Sequence, residues 1–146
     1  MARALNVFFD VDFTLIGLDG TLRPGAAHAF RRLASDGHRI FVWSGHGIRG
    51  QEIESHGLDE YVTGFFIKPQ EEFHAGLVRF GVDVLPDLVI DDDVRLVNAF
   101  GGVLADPYYY PERDDGGMDG VYEVVRVLAH IQAGEHELYR SPRPQR

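Results

Sequence analysis

Short runs of consecutive apolar residues alternate along the chain with longer stretches whose apolar positions recur at helical spacing. The short runs are Asn6 to Phe9, Arg39 to Trp43, Gly64 to Ile67, Asp87 to Ile90 and Gly102 to Ala105. Ala26, Ala29, Phe30 and Leu33 mark one helical stretch, and Phe73, Leu77, Val78 and Phe80 mark another. A last stripe reads Val121, Val124, Val125, Leu128, Ala129 and Ile131. Runs that are apolar on successive residues, rather than on alternate ones, suit strands buried on both faces, which helices must then cover. The β-α-β-α order predicts an α/β fold: a doubly wound, Rossmann-like, mainly parallel sheet with helices on both faces.

The breaks fall where that fold needs them. Pro24-Gly25 opens the first helix, Asp36-Gly37-His38 ends it, Gly57 closes the second, and Gly101-Gly102 separates a helix from the fifth strand. Asp106 to Gly120, with Pro-Tyr-Tyr-Tyr-Pro inside it, reads as a long surface loop. Packing of one or two of Tyr108 to Tyr110 on the last helix is the expectation, a lid or a subunit contact being the alternative. Residues 1–134 are expected to form a single core domain and 135–146 a flexible tail.

Composition narrows the function. The chain has 146 residues, of which 45% are hydrophobic and 25% charged, as in a globular protein rather than a disordered one. Its 14 basic and 23 acidic side chains give a formal charge of -9, which disfavours nucleic acid and anionic lipid as partners. Cysteine is absent, which excludes disulfides, thiolate metal sites and a Cys nucleophile. No apolar window approaches a membrane-spanning length, and the first apolar run meets Asp10 at once, so no membrane association and a cytoplasmic location are expected.

In an open parallel sheet, ligands bind beyond the carboxyl ends of the strands. Asp10, Asp12 and Thr14 follow the first run, Ser44 and Gly45 the second, Lys68 the third, and Asp91, Asp92 and Asp93 the fourth. The Asp-Thr-Leu pattern recurs as Asp19-Gly20-Thr21-Leu22. That echo lacks both a preceding strand and a paired carboxylate, and is expected in the loop before the Pro24 helix. Carboxylates gathered at one sheet edge repel one another unless a cation sits among them. Oxygen donors of this kind suit Mg2+, which shares its remaining positions with waters and phosphate. Lys68 adds positive charge, and Thr14, Ser44 and loop N–H groups can donate to an anion. The set suits a phosphoryl group with magnesium.

At these residues the chain resembles the haloacid dehalogenase (HAD) superfamily of phosphohydrolases. The likeness rests on Phe8-Phe9-Asp10-Val11-Asp12-Phe13-Thr14-Leu15, Phe41-Val42-Trp43-Ser44-Gly45, Ile67-Lys68-Pro69 and Val89-Ile90-Asp91-Asp92-Asp93, in that order. The resemblance implies that Asp10 is the nucleophile, carrying an aspartyl-phosphate, and that Asp12 protonates the leaving oxygen and then activates water. It implies phosphate binding by Thr14, Ser44 and Gly45, and a stabilising role for Lys68. Magnesium would be held by the Asp10 carboxylate, the Asp12 backbone carbonyl and Asp92, with Asp91 or Asp93 behind them. Members that dehalogenate lack an acid at the position of Asp12, so phosphate-ester hydrolysis is implied.

Phe13 stands where many relatives have Gly, and His46 follows Ser44-Gly45. The spans from Thr14 to Ser44 and from Ser44 to Lys68 are too short for a cap domain. Capless relatives act on large substrates or borrow a lid from a neighbouring subunit. The implied partners are a small phosphorylated metabolite or a phosphoprotein, with a homo-oligomer as a possible source of a lid. His46 and Arg49 are candidates to touch the leaving group, or else a polar pair at a helix start. A receiver-type phosphorylation switch gathers similar residues, but in a different strand order. A phosphomutase generally needs a cap. The alternative kept open is a non-catalytic phosphate-binding or regulatory protein on the same fold.

Overall fold

The computed structural model describes residues 3–130 and 136–143. Its strands are β1 (Asn6–Asp10), β2 (Arg39–Ser44), β3 (Val62–Ile67), β4 (Leu88–Asp91), β5 (Gly102–Leu104) and β6 (Tyr139–Arg140). The helices are α1 (Ala26–Ser35), α2 (Gly50–Ser55), α3 (Phe73–Arg79), α4 (Val94–Phe100) and α5 (Gly117–His130), with a 3-10 turn at Asp59–Tyr61. The six strands form one sheet in the order β3-β2-β1-β4-β5-β6. Strands β1 to β5 are parallel, and β6 joins β5 antiparallel. The α/β expectation therefore holds, with a mostly parallel mixed sheet.

Both faces of the sheet are covered. Val7 and Phe9 of β1 pack with Ala29, Phe30 and Leu33 of α1, Ile53 of α2, and Val121, Val125 and Leu128 of α5. Phe8, between them in sequence, points the other way and packs with Phe73 and Leu77 of α3 and Leu96 and Phe100 of α4. A strand with large apolar side chains on both sides is stable only at the centre of such a sandwich, which is where β1 lies. Phe8 stacks on Phe41 at 4.8 Å and meets Trp43 edge-on at 4.6 Å, so aromatic packing ties β1 to β2. Gly102 lets β5 approach β4, since a Cβ there would stand 1.8 Å from the Val89 carbonyl oxygen.

Chain order runs one way from β1 through β2 to β3 and the other way through β4 to β5. The connections leave opposite sides of the sheet between β1 and β4, which opens a crevice at their carboxyl ends. Phe9 pairs with Ile90, so the next residues, Asp10 and Asp91, leave the sheet side by side.

Two expectations need correction. The loop after β5 ends before Gly120, because α5 begins at Gly117: Met118 and Val121 are both buried and carry the apolar stripe back past the glycines. Tyr108 is buried, its hydroxyl donates to the Leu22 carbonyl, its ring lies under the Arg23 guanidinium, and it lines a cavity with Met118 and Val121 of α5. Tyr139 and Arg140, read as part of a flexible tail, supply β6, because Tyr139 is partly buried against the core and pairs with Val103. Ile131 and the tail positions 135 and 144–146 lie outside the described residues. Among the described residues, no helix is long and apolar enough to cross a membrane.

Candidate active site

The chain leaves β1 in a tight turn. The N–H groups of Leu15 and Ile16 both donate to the Val11 carbonyl, and Arg23 N–H donates to Leu15. This folds residues 12 to 22 into a short hairpin closed by a bridge between Ile16 and Leu22. Asp19 lies on the hairpin's exposed tip, where its carboxylate accepts from Thr21 N–H at 3.0 Å. The echo is thus a turn device in the loop before α1, as expected.

Asp10 is buried, and its carboxylate has two partners: Lys68 Nζ at 2.9 Å and the Thr14 hydroxyl at 3.1 Å. Lys68 also reaches Asp91 at 3.0 Å, and its backbone N–H donates to Ser44 at the end of β2. The other Asp91 oxygen accepts from Asp93 N–H at 2.9 Å. Asp92 is half-buried, and oxygens of Asp10, Asp91 and Asp92 lie within 4.8 Å of one another. Asp93 turns outward to cap α4, accepting from Arg95 N–H, with the Arg95 side chain 2.9 Å away. Its side chain starts the helix, while its N–H supports the cluster through Asp91.

Asp12 is engaged from two sides. Its carboxylate receives the Arg49 guanidinium at 2.5 Å and the Ser44 hydroxyl at 3.4 Å, while Ser44 accepts from His46 N–H. Arg49 also lies 3.3 Å from Glu52. His46 is exposed, and it lines an open cavity of about 480 Å³ together with Asp10, Asp12, Phe13, Lys68 and Asp92. Of the sequence-predicted residues, Asp10, Asp12, Ser44, Gly45, His46, Lys68, Asp92 and Asp93 line this cavity. Thr14 is buried behind Asp10, and Arg49 acts on the cavity through Asp12.

Burial dominates the electrostatics. It pushes the Asp10 carboxyl up to about 6 and the Asp91 carboxyl up to about 7, despite Lys68 between them. Burial opposes charge on Lys68 as well, but its two carboxylate neighbours win and hold the ammonium more firmly than usual. Asp12 is paired with Arg49, which leaves Asp10, Asp91 and Asp92 facing one lysine. Three carboxylates against one ammonium is an arrangement that a divalent cation balances, and an all-oxygen donor set suits Mg2+. Both oxygens of Asp10 and both of Asp91 already accept hydrogen bonds, so Asp92 has the freer oxygens, and an ion held by Asp10 would share its carboxylate with Lys68 and Thr14.

Two functional neighbours escaped the sequence reading. Gln70, two residues past Lys68, lies over Gly45 so closely that a Cβ on Gly45 would stand 1.4 Å from the amide nitrogen. Arg23 is buried and pairs with Asp115 at 2.9 Å, while its other nitrogen donates to the carbonyls of Thr14 and Asp106. It ties the loop after β1 to the segment after β5. The Lys68-Pro69-Gln70 order could have drawn attention to Gln70, whereas nothing local pairs Arg23 with a residue 92 positions away.

Comparison with known proteins finds no matching family model, curated protein or solved structure.

Proposed function

We propose that this chain is a magnesium-dependent phosphatase that hydrolyses a phosphate monoester through an aspartyl-phosphate on Asp10, as a capless HAD-type enzyme. The observation that carries the reading is the convergence of Asp10, Asp12, Lys68 and Asp92 from three strand ends on one open crevice.

In this reading an Asp10 carboxylate oxygen attacks phosphorus, and the bond to the leaving oxygen breaks. Asp12 gives that oxygen its proton. Water then attacks the phosphorus of the aspartyl-phosphate as Asp12 takes a proton from it, and inorganic phosphate departs with the Asp10 carboxylate restored. Lys68 screens the charge that builds up between Asp10 and the phosphoryl oxygens, and Ser44 and the loop N–H groups orient those oxygens. Magnesium, held by Asp10, Asp92 and the Asp12 carbonyl, would supply Lewis-acid neutralisation of the phosphoryl oxygens.

A second reading has one observation in its favour: Arg49 holds the Asp12 carboxylate in an ion pair, so an oxygen that would meet the leaving group is already taken. A phosphate-binding protein without turnover fits that arrangement. Phosphate release from 4-nitrophenyl phosphate, with Mg2+ and with chelator, separates the two. Magnesium-dependent release that disappears in Asp10→Asn supports the phosphatase. Phosphate binding without release supports the second reading.

A further inference from the structure

Phe13 lies in the left-handed region of backbone space, at φ 64°. Glycine takes that conformation freely, and a bulky L residue takes it at a cost that the surroundings must offset. The backbone here is clamped on both sides, with Phe13 N–H donating to Ile16 at 2.9 Å and the Phe13 carbonyl accepting from Tyr108 N–H at 2.7 Å. Those bonds would serve any residue, glycine included. What phenylalanine adds is its ring, on a residue that lines the cavity of Asp10, Asp12 and Ser44. The ring meets Tyr109 at 5.4 Å between centroids, with the two planes tilted by 58°.

Position then suggests purpose. Phe13 directly follows Asp12, so a leaving group whose oxygen is protonated by Asp12 departs beside this ring. Tyr109, which backs Phe13 and lines the neighbouring cavity beside Arg23 and Tyr108, is 49% exposed, so part of the pair still faces solvent. Val94, at 40% exposure, lines the same cavity and adds an apolar edge. A hydroxyl set against these carbons, rather than toward Ser44, His46 or Gln70, would lose hydrogen bonds to water. A flat ring would gain stacking or edge contacts instead.

Resting on the phosphatase reading above, we propose that Phe13 and Tyr109 form an aromatic shelf that selects phosphate monoesters whose leaving group carries an aromatic ring within one or two bonds of the ester oxygen. The substrate class is a phosphorylated phenol or arylmethanol rather than a sugar phosphate.

The test compares benzylphosphonate with cyclohexylmethylphosphonate, binding each to the magnesium-loaded protein by calorimetry with inorganic phosphate as reference. The two ligands share the phosphonate and a six-membered carbon ring, and differ in aromaticity. The wild type is expected to favour the benzyl compound by about fivefold, the scale of one aromatic pair. The preference should fall to about twofold or less in Phe13→Leu, and also in Tyr109→Leu, which alters an exposed side chain and is expected to fold. Benzyl and cyclohexylmethyl phosphate, as substrates, should show the same order in kcat/KM. Equal binding of the two phosphonates by wild type that binds phosphate overturns the shelf and leaves the phosphatase reading standing, as does a preference that survives both substitutions. Failure to bind phosphate and both phosphonates overturns that reading, and the shelf with it.

Discussion

Lys68 bridges Asp10 and Asp91, its ammonium 2.9 Å from one carboxylate and 3.0 Å from the other. Both acids are buried, so the lysine is the charge that makes their proximity tolerable. Lys68→Met leaves two buried carboxyls without a cation, and breaking a buried pair in this way costs about 3–5 kcal/mol. Urea denaturation without metal at pH 8, where both acids are ionised in the wild type, is expected to show a loss of that size, with part of it recovered on adding Mg2+. A variant as stable as wild type under both conditions contradicts the bridging role.

The same burial predicts a pH dependence with a definite sign. Asp10 and Asp91 hold their protons to about pH 6 and about pH 7 in the folded chain, against 3.8 ordinarily. Between those values the folded state binds more protons than the unfolded one, so metal-free stability falls as pH rises from about 4 to about 7. Magnesium binding must displace those protons, so its affinity should rise over the same window. Thermal unfolding with and without Mg2+ at pH 5 and pH 8 checks this: the magnesium-induced gain should be larger at pH 8, and an equal gain at both contradicts it.

Arg23 and Asp115 are a second, part-buried pair, 4% and 11% exposed. Asp115→Ala strands the arginine and is expected to destabilise the fold by about 3 kcal/mol in denaturant unfolding. Because Arg23 also holds the Thr14 carbonyl, phosphate affinity should fall alongside stability, and Asp115→Asn, which keeps an acceptor, should be milder on both. Loss of stability with phosphate affinity unchanged would separate this pair from the site.

Two glycines make opposite predictions from similar crowding. At Gly102 an added Cβ meets the Val89 backbone, which is fixed by the sheet, so Gly102→Ala should cost about 4 kcal/mol or more. At Gly45 the obstacle is the end of the Gln70 side chain, which can swing away, so Gly45→Ala should cost about 1 kcal/mol or less. Melting curves of the two variants test the contrast, and equal losses contradict it.

The parts of the fold legible in sequence are those set by consecutive burial. β1 and β2 were readable because Val7-Phe8-Phe9 and Ile40-Phe41-Val42 must bury both faces, and Asp10 and Ser44 end those runs abruptly. The start of α5 was not readable, because Gly116-Gly117 looks like a turn and only contact with the core makes Met118 the first residue of its stripe. β6 was equally hidden, since Tyr139-Arg140 becomes a strand only beside β5. In the site, Asp10, Asp12, Lys68 and Asp92 could be placed from strand ends alone. Arg49 on Asp12 and Gln70 over Gly45 depend on loop geometry that no local pattern encodes. Phe13 was visible as a residue, but its left-handed backbone and its contact with Tyr109 were not.

The most direct test of the account is to trap the covalent intermediate. Asp12→Asn, mixed with 4-nitrophenyl phosphate and Mg2+ and quenched in acid within the first turnover, should carry one phosphoryl group on the peptide containing Asp10, as read by mass spectrometry. The removal of Asp12 slows the water step, so the adduct should accumulate, and it should be absent without magnesium and in Asp10→Asn. A phosphoryl group on any other residue, or hydrolysis by the wild-type protein that survives in Asp10→Asn, contradicts the account.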